Sequence, residues 1–404
     1  MRAATVPLIL LAACGADQPA RYAEPCTPAA TDTFEPELAP GIEVNVHGVF
    51  AGGAAWLSYT VVEPGTSNGD VALARVGCDG ATLETQRVTT RTGNNDTAAP
   101  LATSGDRVLV VWAGDDGEGP DNLDTFTRAF ELDGTPVADD QALVTDLGGS
   151  PAMVSDWMPQ VAADGDGFVV VGTRARPDLE RFATYWQRVD GDGAPRGATG
   201  DPSLVPMVSH NFPAAAATDD GTVIVYIDTP DVDDDTLVWT MVPTGAAAAA
   251  TPEQVVPLPS AGAPPVVAAH GAHAYAVVNT DDNGAANGGA LSLWLRRLPG
   301  GAAADAVEVS PGATGDIYPA VAAGEGGGAI AWLRDGASRG LWLASFTDVD
   351  GTLTVGTPQQ VPTTGSVAPY KPALVHLGEG FYLVAWHQVV ASEYHLYARI
   401  VELG

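Results

Sequence analysis

The chain has 404 residues, 50 of them acidic against 18 basic, for a formal net charge of −32. This balance excludes a nucleic-acid partner, because phosphate recognition needs clustered Lys and Arg, whereas Lys371 is the only lysine. The 47 glycines and 31 prolines would interrupt any long helix, and no stretch carries a 3.6-residue apolar stripe, so an all-β fold is expected.

At the N-terminus, Met1-Arg2 is followed by the apolar run Ala3 to Leu10 and then by Leu11-Ala12-Ala13-Cys14. The run is too short to span a bilayer. The small residues before Cys14 match the lipobox of bacterial lipoproteins, which predicts a signal peptide over residues 1–13 and acylation of Cys14. An ordinary secretory leader is the competing reading. Several acyl chains hold a protein far more firmly than one, and Gly15, where Asp would favour inner-membrane retention, directs the expectation to the outer membrane. Residues 14–33 read as a tether.

Export places the remaining cysteines in an oxidising compartment, where the pair Cys26 and Cys78 is expected to form a disulfide. There is no Cys-x-x-Cys spacing to suggest a metal site.

From about Ile42 onward a phrase of the form Pro-x-Val-Ala-x-x-x-Asp-Gly-x-x-Val-Val-x-Trp returns seven times, in clear or degenerate copies. Its prolines fall at 100, 159, 213, 265, 319 and 372, spaced by 59, 54, 52, 54 and 53 residues. A fixed period in this range marks a repeat architecture in which no unit buries its apolar face alone. Within one copy, Ala320 to Ala323, Ala329 to Leu333, Leu341 to Phe346 and the stretch ending Gln359-Gln360-Val361 read as four short strands. Turns such as Asp133-Gly134 and Asp350-Gly351 supply the positive φ that tight hairpins require.

Radial four-stranded units predict a seven-bladed β-propeller over residues 34–404. The last copy is one strand short at Gly404, and Phe34 to Leu38 is the natural donor of the missing strand. The Cys26–Cys78 bridge would then pin this strap beside the first blade.

Several motif matches do not survive their context. Gly65 to Gly69 and Gly336 to Gly340 both read Gly-x-Ser-x-Gly, but each falls between a second and a third strand, without the following helix of a nucleophile elbow. Gly324 to Ala329 is a glycine-rich turn leading into a strand, not a dinucleotide fingerprint. Asp231, Asp233 and Asp235 begin like a calcium loop, yet Thr236 and Val242 stand where its glycine and glutamate belong. Ca2+ is therefore a weak expectation there, solvated acid the stronger one, and no other cofactor is expected.

The topology also says where a ligand site would lie. Loops leading into the inner strands ring the channel mouth, and just before the repeat prolines they carry Asp156 and Trp157, His210 with Asn211 and Phe212, Asp316 with Tyr318, and Tyr370 with Lys371. A concave, partly apolar mouth with few polar groups suits a ligand. The competing reading is that the aromatics wedge neighbouring blades together. His47 is placed near the first hairpin turn of its blade, His270 and His273 at the equivalent turn further on, and His387, beside Trp386, in a structural role.

The segment Pro159 to Arg196 resembles repeats of secreted bacterial surface proteins and propeller lipoproteins, although Gly172 replaces the tryptophan of the phrase. The resemblance implies fold and export, and supplies no catalytic residues. Two functions remain: a lipid-anchored, monomeric binding or scaffold module for a protein or glycan ligand, and an extracytoplasmic glycosidase or polysaccharide lyase using Asp156, His210, Asp316 and Lys371. The first is favoured, with no catalytic residue assigned, since the Ser-x-Asp-x-Gly-x-x-Trp box of sialidases is absent.

Overall fold

The computed structural model describes residues 27–36, 42–62, 69–90, 96–97, 100–115, 123–143, 156–176, 181–202, 209–229, 235–258, 264–280, 292–299, 306–310, 315–334, 339–363, 366–367, 371–391 and 393–403. These form seven antiparallel sheets, in six of which the strands neighbour one another in sequence order, and together they make a seven-bladed β-propeller. In blade 3, for example, the strands are Asp156–Asp164, Gly167–Arg176, Arg181–Val189 and Pro195–Gly200, counted outward from the channel. The hairpins fall where the sequence put them. Asp350 and Gly351 adopt φ of 50° and 81°, the paired left-handed conformation of a two-residue turn.

Packing between blades explains why the phrase repeats. Seven hydrophobic clusters occupy the seven junctions, and each draws residues from two adjacent blades. Six residues at one position of the second strand feed these clusters: Tyr59, Trp112, Tyr226, Val278, Trp332 and Trp386 are all fully buried. Truncating a large aromatic at such a site costs roughly 3–5 kcal/mol. Blade 3 instead has Gly172 at this position, where an added Cβ would lie 2.6 Å from the Tyr185 hydroxyl oxygen. Tyr185 fills the space instead, and its hydroxyl shares a 2.7 Å hydrogen bond with Thr125 Oγ1 of the preceding blade. The glycine is thus compensated from the neighbouring strand.

Blade 7 contributes inner segments Ser366–Val367 and Ala373–Gly378, a second strand Phe381–Val390 and a third Glu393–Glu402. The N-terminal strap completes it. Phe34 N donates to Ala398 O at 2.9 Å and Ala398 N to Phe34 O at 2.8 Å, while Thr31 N bonds Ile400 O at 3.1 Å. The strap also reaches blade 1, where Ala29 N donates to Cys78 O at 3.2 Å. Cys78 is disulfide-bonded, and Cys14 and Cys26 lie outside the described residues.

The inner strands also depart from regular β geometry. Asn45, Met158, Phe212 and Tyr318 have φ between 49° and 57°, and the ladder to the second strand shifts register around each. These are β-bulges at equivalent repeat positions, three of them directly before the repeat proline. A bulge inserts one residue and re-aims the side chains beside it, so residues upstream of the proline do not keep the alternation that an uninterrupted strand would impose.

Candidate functional site

At the centre of the ring, residues around the repeat-proline position of all seven blades line a half-open cavity of about 140 Å³. Most of its lining residues are apolar, Leu101, Val161, Val266, Val321 and Leu374 among them, but the surface they turn toward it is mainly polar, and His47, Gln160 and Lys371 are its polar side chains. Each polar group is positioned by an inner strand. His47 sits in Ile42–Ala51 and Gln160 in Asp156–Asp164, both one residue past the proline position, whereas Lys371 directly precedes Pro372.

The electrostatics of this cavity are unusual for so acidic a chain. Burial lowers the Lys371 ammonium from its ordinary value to about 8. Burial, then the Lys371 charge and then His387 hold His47 down at about 3, so its imidazole is neutral. His387, in the second strand of blade 7, is itself lowered to about 3 by burial. Among the described residues Lys371 has neither an ion pair nor a hydrogen bond, and burial alone moves its titration.

The arginines contrast with it. Arg188 meets Asp164 at 2.5 Å and donates to Pro243 O of the next blade at 2.7 Å, Arg75 donates to Leu132 O at 3.0 Å, and Arg297 pairs with Asp348 at 3.3 Å. These three occupy matching places in third strands and clasp the following blade. Among the described residues, Lys371 is the cationic side chain that lines the channel cavity.

The residues expected at the channel mouth divide three ways. Lys371 lines the channel as expected. Asp316, Phe212 and Tyr318 do not. Asp316 is fully buried, takes a two-pronged ion pair from Arg334 at 2.6 and 2.9 Å, and also accepts from Ser310 Oγ. Its backbone oxygen is held by Asn279 Nδ2 at 2.6 Å, and Arg334 lies over the Trp342 ring at 4.2 Å from its centroid. That carboxylate is a structural anchor between blades. Phe212 packs into the cluster between blades 4 and 5, and Tyr318 into the one between blades 6 and 7. Their bulges turn them away from the channel, and the wedge reading holds for both. Asn211 is half-buried on the same bulged strand, off the cavity wall.

The remaining positions are described only in part. Asp156 lies opposite Arg174, and His210 opposite Asp228, in the backbone ladder. These are the blade-3 and blade-4 counterparts of Asp316 opposite Arg334. The side chains of Asp156, Trp157 and His210, and all of Tyr370, lie outside the described residues, as do Asp231 and Asp233. Asp235 accepts a hydrogen bond from Thr229 Oγ1 at 2.7 Å, and no metal-holding group of three His, Cys, Asp or Glu occurs among the described residues.

His270 and His273 flank the Gly271-Ala272 turn as expected. His47 does not: it stands in the middle of its strand. The missed pair, His47 and Gln160, had a signal in the repeat. At the position after the proline the other copies carry Leu101, Ala214, Val266, Ala320 and Ala373, so two polar residues there break an apolar column.

The chain matches no protein-family profile and no curated protein sequence. Among solved structures it is similar to a protein of unknown function from Dyadobacter fermentans, with TM-score 0.55, 10% identity, and 93% of this chain and 99% of that one covered. It is also similar to the polysaccharide lyase Uly1, with TM-score 0.55, 10% identity and 91% of each chain covered. A third is an alpha-L-arabinanase from Penicillium chrysogenum, with TM-score 0.51, 12% identity and coverage of 93% and 99%. At such identities the likeness is one of fold.

Proposed function

We propose that this chain is a lipid-anchored, extracytoplasmic binding module that presents the channel face of its propeller to a protein or glycan ligand. The observation that carries the reading is Lys371. Lys371 is half-buried. A cation partly withdrawn from water with no anion beside it among the described residues carries a cost, and that cost is offset when a ligand brings the negative charge. At neutral pH the ammonium remains mostly protonated, since its value of about 8 lies above 7.

The strap supports the orientation. Ala29 bonds the Cys78 hairpin, on the face opposite the loops that lead into the inner strands. From an acylated Cys14 to Thr27 the chain reaches at most roughly 45 Å. An outer-membrane anchor at Cys14 would therefore join the propeller from its hairpin face, with the channel mouth on the side opposite the attachment. With Cys14 acylated, Cys26 is the partner for Cys78.

A second reading, an extracytoplasmic propeller enzyme, draws on the same lysine. An amine brought down to about 8 approaches the range of a general base, and the similar folds include a polysaccharide lyase and an arabinanase. Against it, the Asp316 carboxylate is committed to Arg334. A panel of acidic and neutral glycans, peptidoglycan fragments and peptides, incubated with the mature chain, separates the two. Retention of an acidic ligand without chain cleavage supports the binding module; new reducing ends or unsaturated products would replace it with the enzyme.

A further inference from the structure

The centre of the channel, a half-open cavity, is too small to take in the whole of the ligand just described. A cavity of about 140 Å³ has room for four or five waters at roughly 30 Å³ each, well below the roughly 300–1,000 Å³ of a site that swallows a whole organic ligand. What fits is a single functional group.

We propose that the channel centre is a carboxylate-binding site, in which Lys371 supplies the charge and His47 and Gln160 supply neutral hydrogen-bond donors from two other inner strands. The inference rests on the reading of the channel as a binding site and narrows it to one chemical group. Three observations select that group. The cavity holds one cationic side chain, which matches a monoanion. A chain of net charge −32 opposes multiply charged anions such as phosphate more strongly than a monoanion. A carboxylate offers about four lone-pair positions, enough to receive the ammonium, one imidazole N–H and one amide N–H together.

Among the described residues, the titratable groups that face the cavity are Lys371 and His47, with His387 close enough to His47 to act on its charge. Because His47 stays neutral far into the acid range, a carboxylate bound here meets one positive charge throughout the physiological interval. The anion in turn stabilises the charged ammonium, and Lys371 should titrate higher when the site is filled.

The carboxylate has two sources, a free small acid or an acidic sugar reaching in from the mouth. Because Lys371 is the only lysine, the mature chain grown on isotope-labelled lysine gives one lysine side-chain NMR signal. Acetate and a monomeric hexuronic acid are each titrated against it. A saturable shift of that signal with either, together with a rise of its titration midpoint above about 8, is the expected result. A shift with acetate alone identifies a free acid, and a shift with the hexuronic acid identifies a sugar carboxylate.

Gln160→Leu should weaken the responding acid by roughly 5-fold to 10-fold, the worth of one hydrogen bond. Calorimetry on Lys371→Met should register no binding. No saturable shift with either acid overturns the proposal, as does unchanged acid binding in Lys371→Met. Retention of a larger ligand alongside a silent lysine signal would sink this inference and leave the binding module standing; a responding lysine with no larger ligand retained would do the reverse.

Discussion

Phe34 and Ala398 exchange both of their backbone hydrogen bonds, at 2.9 and 2.8 Å, so the two ends of the chain meet in one blade. Blades 7 and 1 also share a hydrophobic cluster, against which Phe34 packs. The ring is closed by backbone pairing and by apolar contact together. Phe34→Ala should therefore cost about 2 kcal/mol, less than a fully buried Phe because the ring is only partly covered. Urea denaturation of the mature chain measures it, and a change within error would mean that the strap contributes little to closure.

Asp316→Asn should destabilise the fold by about 3 kcal/mol, because it leaves Arg334 buried without its counter-charge. The same substitution should leave ligand retention unchanged. A folded variant with normal stability and lost binding would return Asp316 to the functional site.

Tyr185→Phe should cost roughly 1 kcal/mol, the net worth of its hydrogen bond to Thr125. Gly172→Trp should be far worse. It would restore the tryptophan of the repeat but drive its side chain into the Tyr185 ring, which an added Cβ already approaches to 2.7 Å. Thermal denaturation of the two variants tests whether the blade is compensated in this way.

Stability should also depend on pH with a definite sign. His47 and His387 titrate at about 3 in the folded chain, against about 6.5 when unfolded. The unfolded state binds the extra protons between these values, so stability is full above about 6.5 and falls by a few kcal/mol as pH drops toward 3. Lys371 acts at the other end. Its folded value of about 8 lies below its ordinary 10.5, so the chain gains stability as pH rises between the two. His387→Gln should flatten the acid limb of the denaturation profile, and an unchanged limb would show that the loss comes from other groups.

The repeat made the propeller legible because strands and hairpins are local: Asp350-Gly351 or Asp133-Gly134 sets a turn wherever it occurs. Closure by Phe34 was also legible, from the strand missing at Gly404. The channel was harder to read. An unrecognised bulge at Phe212 and Tyr318 shifted the side-chain alternation by one residue, and both aromatics went into blade junctions. Asp316 looked like an exposed acid because its partner, Arg334, stands 18 residues away at the end of the neighbouring strand. His47 and Gln160 came from different copies, and only the closed ring brings them to the same cavity as Lys371.

The central claim is that the channel face binds an acidic ligand through Lys371. Parallel retention of a hexuronic-acid oligosaccharide and an acidic peptide by the mature wild-type chain and by Lys371→Met tests it most directly. The wild type is expected to retain at least one of them and to release it when the free acid that shifts the Lys371 signal is added, and Lys371→Met is expected to retain neither. Equal retention by the two proteins would contradict it.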